Sequence, residues 1–361
     1  MAKNIYLCLN ERHFKFIIRL HSYANGALYF YRNLLGLSES HFGGKVFALD
    51  LLGWGLSSRP EFKTRNDNGD EISAAEDFFV ESLEAWRKEH KLEKMTLGGH
   101  SMGGYLSVAY CEKYPQHVER LILMSPAGVP VGPDEKELDD QRKGLPLRFR
   151  FMIGLASHLW TAGHTPSSFV RSLPEKSGRK MVGGYVEKRL PAISCPEERS
   201  ALTEYLYTNA ALPGSGEYCL NKILKPMAFA KRPIMHRIPA LQVSDISFIY
   251  GQQDWMDPSA GLEVQRICNE ESEKGGTNPP RVQVFGVKNA GHLLMLENYA
   301  EFNSAVIMAG GGGHKLPHNS PKPLQFVPGA TLGSNAFFSK PKFRKEDSNV
   351  DSSEESSPVA T

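Results

Sequence analysis

The chain has 361 residues with 42 Lys and Arg against 40 Asp and Glu, a formal net charge of +2 at pH 7. This balance argues against a nucleic-acid-binding protein, and 41% hydrophobic residues are enough to build a buried core. Five scattered cysteines without C-x-x-C spacing indicate reduced thiols in the cytoplasm rather than disulfides or a zinc site. Neither a signal peptide nor a membrane-spanning apolar run is recognisable, so we expect any lipid contact to be peripheral.

Strand and helix patterns alternate from Phe14 onward. In chain order we predict a strand at 14–20, a helix at 28–37, a strand at 45–50, a helix at 74–90, a strand at 95–97 followed by a helix at 105–114, and a strand at 120–124. This rhythm predicts a mostly parallel sheet flanked by helices, an α/β fold. Ligands of such sheets bind at the carboxyl ends of the strands.

The rhythm breaks after Gly128, where a mainly helical stretch follows. We predict four segments: the first part of the α/β core (1–129), an inserted helical cap (130–239), the second part of the core (240–309) and a disordered tail (310–361). The second part resumes the pattern with strands at 246–250 and 282–285 and a helix at 299–308. The tail begins with a four-glycine run and becomes rich in Ser, Glu, Pro and Lys, which predicts disorder.

The segment Gly99-His100-Ser101-Met102-Gly103, between a predicted strand and a predicted helix, has the G-x-S-x-G pattern of a nucleophile elbow. A strand that turns sharply into a helix strains the middle residue, and a side chain at either glycine would collide with neighbouring backbone. We therefore predict that Ser101 is a nucleophile and that the N–H of Met102 is half of an oxyanion hole. The second donor is expected in the loop after the first strand, at the N–H of Tyr23.

A serine hydroxyl needs a base to take its proton, and the base needs an orienting carboxylate. Asp254 and Asp257 follow an apolar strand; Asp254 is preferred because it lies nearer the strand end, and Asp257 is the alternative. His292 follows the last predicted strand and is the expected base. The order serine, acid, histidine is typical of this sheet type. We expect His100, inside the elbow, to support the site.

With these motifs, the chain resembles a branch of the α/β-hydrolase family. The branch comprises lysophosphatidate acyltransferases and phospholipases, including the mammalian lipid-droplet lipase coactivator, yeast cardiolipin deacylase and plant-type 1-acylglycerol-3-phosphate acyltransferases. The resemblance covers roughly residues 16–307 and is carried by segments 47–60, 99–105, 125–130, 250–257 and 291–303. It implies an α/β-hydrolase fold with the triad Ser101, Asp254 and His292.

The resemblance also implies a serine-dependent lipid acyl hydrolase or acyltransferase. Phospholipids, lysophosphatidate or neutral lipids would be its substrates, and the protein would touch a membrane or lipid-droplet surface peripherally. No metal or nucleotide cofactor is implied, but acyl-CoA would be the donor in an acyl transfer. Two alternatives stay open: a catalytically weak lipid-droplet protein that activates a separate lipase, and a small-ester carboxylesterase. Coactivators of the first kind lack the nucleophilic serine, whereas Ser101 is present.

The sequence departs from the family pattern in three places. Some members carry an H-x-x-x-x-D motif linked to acyl transfer, but here His292 is followed at that spacing by Glu297. The alternative role of Glu297 is a carboxylate at a helix N-terminus. The usual His-Gly pair of the oxyanion loop is His21-Ser22. Because relatives have further strands before the position of Phe14, we expect N-terminal strands to be missing and one sheet edge to be exposed.

The predicted cap carries several basic side chains. Four of them are candidates for contact with a phosphate head group or an anionic membrane surface: Arg142, Lys143, Arg148 and Arg150. For each one a solvated helix face is the competing interpretation. The sequence gives no oligomeric state.

Overall fold

The computed structural model describes residues 6–9, 17–23, 25–39, 45–63, 69–134, 136–137, 140, 143–225, 228–275 and 278–327. Within these residues, eight strands form one sheet in the order β1-β3-β2-β4-β5-β6-β7-β8. The strands are β1 (Tyr6–Leu9), β2 (Ile17–Leu20), β3 (Val46–Leu49), β4 (Met95–His100), β5 (Val118–Met124), β6 (Asp245–Gly251), β7 (Arg281–Val287) and β8 (Leu324–Phe326). Strands β2 to β7 pair in parallel, whereas β1 and β8 are antiparallel at the two edges.

Helices connect the parallel strands. Those before the cap are α1 (Tyr31–Glu39), α2 (Glu71–Glu89) and α3 (Met102–Lys113). Between β5 and β6 lie α4 (Leu147–Thr161), α5 (Pro166–Ser172), α6 (Glu175–Arg189), α7 (Pro196–Ala211) and α8 (Leu220–Ile223). After β6 come α9 (Pro258–Lys274), α10 (Leu294–Glu297) and α11 (Tyr299–Ala309). The mostly parallel sheet flanked by helices confirms the predicted fold class.

Both faces of the sheet are buried. Alternate residues of β5 point to opposite faces, so Leu121 and Leu123 join one apolar cluster while Ile122 and Met124 join the other. The first cluster contains side chains of α2, α3 and α9, and the second contains side chains of α1 and α11. Two covered faces explain why the central strands read as continuous apolar runs in the sequence.

Two expectations at the sheet edges are wrong. Tyr6–Leu9 forms β1 and pairs with β3, so the edge that we expected to be exposed carries a strand. Leu324–Phe326 forms β8 on β7, and Phe326 is buried, so the predicted disordered tail does not begin at 310. The rest of that tail, 328–361, lies outside the described residues. β1 and β8 are short, and unlike the equally short β2 and β3 they lie outside the alternating strand and helix pattern that the sequence shows.

The carboxylate of Asp50, at the carboxyl end of β3, joins two loops beneath the cap. It accepts hydrogen bonds from the N–H of Ala27 at 2.7 Å and from the N–H of Leu56 at 3.1 Å. A side chain at Gly26 or at Gly55 would overlap this carboxylate, so both loops approach it closely. Asp50 therefore fixes the chain that follows the predicted oxyanion loop.

Replacing this buried carboxylate tests its role in the fold. We expect Asp50→Ala to lower the free energy of unfolding by about 2–4 kcal/mol, because two backbone N–H groups lose their acceptor. The measurement is urea unfolding followed by circular dichroism. The control is Asp77→Ala, whose half-exposed ion pair with Lys113 contributes at most about 1 kcal/mol. Equal losses in the two variants would contradict this role for Asp50.

Candidate active site

Ser101 occupies the turn between β4 and α3 in a strained backbone conformation. Its φ is 54° and its ψ is −116°, a region that residues other than glycine adopt only when the surroundings enforce it. Its N–H donates to the carbonyl of Met124, and its own carbonyl accepts from the N–H of Ala127, each at 3.0 Å. The neighbouring strand β5 and its following loop thus hold the elbow, and the predicted strain is confirmed.

Glycines on both sides of Ser101 make the sharp turn sterically feasible, because they have no side chain. A Cβ at Gly99 would overlap the carbonyl of Gly103, and a Cβ at Gly103 would overlap the carbonyl of Leu20. At Gly104 it would lie 2.8 Å from the Cβ of Pro126. The collisions predicted for Gly99 and Gly103 are therefore real, and they show that the start of α3 packs directly on the end of β2.

The predicted acid and base lie against each other. Asp254 follows β6 and His292 follows β7, and Nδ1 of His292 donates to Oδ1 of Asp254 at 3.1 Å. The N–H of Met256 also donates to that oxygen, at 3.0 Å. Burial alone would raise the pKa of Asp254, but attraction to His292 and these hydrogen bonds lower it. A charged carboxylate that orients Nδ1 leaves Nε2 of the imidazole to accept a proton.

Asp257, the alternative acid, lies elsewhere. Its exposed carboxylate caps α9 by accepting the N–H of Ser259 at 2.9 Å. The sequence Asp-Pro-Ser carries this signal, since Asp is a favoured N-cap and Pro a favoured first helical residue. The structure thus brings Asp254, and not Asp257, to the imidazole.

Two more side chains hold the loop of His292. Nε2 of His100 donates to the carbonyl of His292 at 2.8 Å, and burial lowers the pKa of His100 to about 3, which keeps it neutral. The carboxylate of Glu297 accepts the N–H of Gly291 at 2.7 Å and the N–H of Leu293 at 3.1 Å. Burial raises the pKa of Glu297. The H-x-x-x-x-E spacing therefore clamps the backbone on both sides of the predicted base.

One cavity of about 990 Å³ unites the predicted residues. Its lining includes Tyr23, Ser101, Met102, His292 and Glu297. Their catalytic roles remain predictions, but all of these side chains or their backbones face the same space. Within the described part of the chain, no group of three or more His, Cys, Asp or Glu side chains is arranged to hold a metal ion.

Buried His21 shapes the predicted oxyanion loop. The N–H of Leu51 donates to Nε2 of His21 at 2.9 Å, so Nδ1 carries the proton and donates to the carbonyl of Ser22 at 2.6 Å. Burial lowers the pKa of His21, in keeping with a neutral ring. The next residue, Tyr23, donates its hydroxyl to Oγ of Ser167 at 3.2 Å, which ties this loop to the cap helix α5.

The cap supplies the remaining walls of the cavity. Apolar lining comes mainly from Trp160, Leu220 and Leu224, while the exposed cations Lys188 and Arg189 project from the end of α6. Nothing in the sequence pattern of α6 distinguishes these two cations from a solvated helix face, so the sequence does not predict their role as cavity lining.

The basic residues that we singled out from the sequence lie elsewhere. Arg142 lies outside the described residues, and Lys143 pairs with Asp140 at 3.0 Å. Arg148 and Arg150 lie on α4 and do not line the cavity. In the part of the chain that is described, no helix is long and apolar enough to cross a membrane.

Comparison with known proteins supports the fold and the relationship. A family model described as alpha/beta hydrolase fold matches residues 15–299. A 1-acylglycerol-3-phosphate O-acyltransferase of Arabidopsis thaliana is 33% identical over 299 residues, which cover 81% of this chain and 66% of that protein. The chain therefore spans slightly less than two thirds of that relative's length. The human 1-acylglycerol-3-phosphate O-acyltransferase ABHD5 is 32% identical, over 80% of this chain and 76% of that protein.

Among solved structures, a bromoperoxidase from Bacillus anthracis superposes with a TM-score of 0.58. The match covers 85% of this chain and 95% of the bromoperoxidase at 18% sequence identity. A likeness at this identity shows the shared fold alone.

The buried imidazole of His100 makes stability depend on pH. Its pKa lies below the value of about 6.5 expected when unfolded, so below that pH the unfolded chain binds a proton that the folded chain refuses. The stability is present above about pH 6.5 and is lost as the pH falls toward 3. We expect the stability difference between the parent chain and His100→Gln to decline by about 1.4 kcal/mol per pH unit from pH 6 to 4. Urea unfolding measures it, and a pH-independent difference would refute the assignment.

Proposed function

This chain belongs to the α/β-hydrolase family, and on that basis we propose that it is a serine-dependent lipid acyl hydrolase or acyltransferase. Phospholipids, lysophosphatidate or neutral lipids are the proposed substrates. The observation that carries the proposal is one large cavity lined by the strained Ser101 and by His292, whose imidazole is paired with Asp254. The names of the acyltransferase relatives direct it toward lipids.

In the proposed first half-reaction, Oγ of Ser101 forms a bond to the carbonyl carbon of the substrate ester, and its proton passes to Nε2 of His292. The N–H groups of Met102 and Tyr23 stabilise the oxyanion. His292 then gives the proton to the leaving alcohol as the ester C–O bond breaks, which leaves the acyl group on Ser101. Asp254 stabilises the imidazolium throughout.

In the second half-reaction, His292 takes a proton from the acceptor as the acceptor oxygen attacks the acyl carbonyl. The bond between the acyl carbon and Oγ of Ser101 then breaks, and His292 returns the proton to Oγ. Water as acceptor releases a free fatty acid, which is hydrolysis. The hydroxyl of lysophosphatidate forms a new ester, which is acyl transfer. With acyl-CoA as the donor, the thiol of coenzyme A is the first leaving group. The chemistry requires no metal or nucleotide cofactor.

The lining of the cavity suits an acidic lipid. The apolar wall formed by Trp160, Leu220 and Leu224 can receive an acyl chain, and a volume of about 990 Å³ lies at the upper end for ligand sites. Lys188 and Arg189 form no ion pair within the described residues, so both are available for phosphate oxygens. This size argues for a lipid over the small ester of the carboxylesterase alternative.

Removal of the nucleophile tests the reaction. We expect the parent chain to release fatty acid from radiolabelled phosphatidylcholine, or to form phosphatidate from lysophosphatidate and acyl-CoA, and Ser101→Ala to lose at least about 10³-fold in kcat, because no acyl-enzyme can form. Thin-layer chromatography separates the products. Phosphatidate formation would mean that Glu297 serves in place of the family's aspartate. If both proteins are folded and equally inert, the lipase-activating alternative replaces the enzyme.

Replacing the two cations of the cavity tests whether the site recognises a phosphate head group. We expect Lys188→Gln combined with Arg189→Gln to lower kcat/KM for phosphatidate relative to diacylglycerol by at least about tenfold, because two charge-assisted hydrogen bonds are lost. The matched control replaces Lys176 and Lys180, on the same helix but outside the cavity lining, with glutamine. An unchanged ratio in the cavity variant, or an equal fall in the control, would exclude a phosphate subsite here.

A further inference from the structure

Helix α4 (Leu147–Thr161) is the most exposed apolar element in the described part of the chain. Not one of its fifteen residues is buried. Six large apolar side chains are exposed, among them Leu147 at 78%, Phe151 at 72% and Met152 at 62%. Monomeric soluble proteins rarely leave so many large apolar side chains of one helix in water, and such surfaces mark interaction sites.

The face that α4 turns toward solvent is the opposite of the one that an ordinary surface helix exposes. Ile153, Ser157 and Trp160 recur at helical spacing and are the partly buried residues, so they mark the face toward the protein. Leu147, Phe151 and Leu155 lie four residues apart along a different face, which points into solvent. A surface helix normally directs its polar face outward. Here the outward face is apolar.

The charges of α4 indicate which partner covers it. The helix contains Arg148 and Arg150 but no Asp or Glu. Neither arginine forms an ion pair among the described residues, and the guanidinium of Arg148 lies 5.0 Å from the centroid of the Phe149 ring. Cations interspersed with large apolar side chains are typical of helices that lie in the interface of an anionic lipid surface.

The position of α4 connects this surface to the candidate active site. At its carboxyl end, Trp160 lines the cavity and donates its Nε1–H to the carbonyl of Leu224 at 3.2 Å. Asn221 donates its amide to the carbonyl of Trp160 at 3.0 Å. The helix is therefore anchored to the α8 segment of the cavity wall, and the rest of it projects beside the cavity.

We propose that α4 is a docking helix that inserts its outward apolar face into an anionic lipid surface and thereby places the cavity over its lipid substrate. Leu147, Phe151 and Leu155 enter the acyl boundary, and Arg148 and Arg150 contact phosphate groups of the lipid heads. The statement that docking places the cavity over its substrate rests on the proposed lipid function, but the docking itself does not. No chemical step is involved, so the two can be tested separately.

Vesicle co-sedimentation tests the docking. The full chain is mixed with vesicles of phosphatidylcholine alone or of equal parts phosphatidylcholine and phosphatidylglycerol. We expect tighter binding to the mixed vesicles, and a loss of at least about tenfold in affinity for the double variant Leu147→Ser, Phe151→Ser. Arg148→Gln with Arg150→Gln should reduce only the preference for phosphatidylglycerol. The matched controls are Leu35→Ser with Val327→Ser, also exposed apolar side chains, and Lys94→Gln with Lys274→Gln.

Two further measurements separate the outcomes. Ser101→Ala should bind vesicles like the parent chain, and the docking variants should hydrolyse the soluble ester p-nitrophenyl butyrate at the parent rate. If the parent chain does not hydrolyse this ester at all, the result contradicts the proposed function but leaves the docking proposal intact. Equal vesicle binding by the parent chain and the Leu147→Ser, Phe151→Ser variant would overturn the docking proposal. So would self-association in sedimentation velocity that this variant abolishes without any vesicle binding, because a second copy of the chain would then be the partner of α4.

Discussion

The close contact between the start of α3 and the end of β2 is the constraint on which the site depends. The glycines at 99 and 103 let the chain turn through a space that admits no side chain, and Ser101 is forced into its strained conformation. Tyr23, in the loop after β2, and Met102, at the start of α3, both line one cavity. Strain of this kind persists only where the surroundings over-determine it, and here strands paired on both sides of β4 do so.

Several side chains also hold the imidazole of His292 and its loop in place. Asp254 orients the ring, while His100 and Glu297 bind the backbone around it. All three partners come from different places in the chain: the loop after β6, the end of β4 and the end of α10. In enzymes, a displacement of a catalytic group by about 1 Å can lower the rate a hundredfold. Holding the loop of His292 in place is therefore a physical reason for burying Glu297, although burial raises the pKa of its carboxyl group.

Local motifs made much of this site predictable. The elbow could be read from five consecutive residues, and the order of serine, acid and histidine follows from the topology of the sheet. Spacing correctly favoured Asp254 over Asp257 but left Asp257 open, because a strand end predicted from sequence is uncertain by about the three residues that separate them. The N-cap signal at Asp257 would have decided between them.

Other features depend on tertiary contacts that no local pattern reveals. The short edge strands β1 and β8 lie outside the alternating strand and helix pattern that revealed the other strands. Lys188 and Arg189 resemble any solvated turn of helix until the fold places them at the cavity. The hydrogen bonds of Glu297 to the loop of His292 can be recognised only from the folded geometry of that loop. The apolar residues of α4 fall within the predicted cap, but only the structure shows which face they occupy.

The most direct test of the central claim is covalent labelling of the native chain with a fluorophosphonate, followed by intact-mass spectrometry. We predict a single adduct on Ser101, a labelling rate about 10³–10⁴-fold lower in Asp254→Asn, and an essentially unchanged rate in Asp257→Asn. This result would mean that the buried carboxylate activates the serine through His292. Labelling of Asp254→Asn at the parent rate, or an adduct on another residue, would contradict the account.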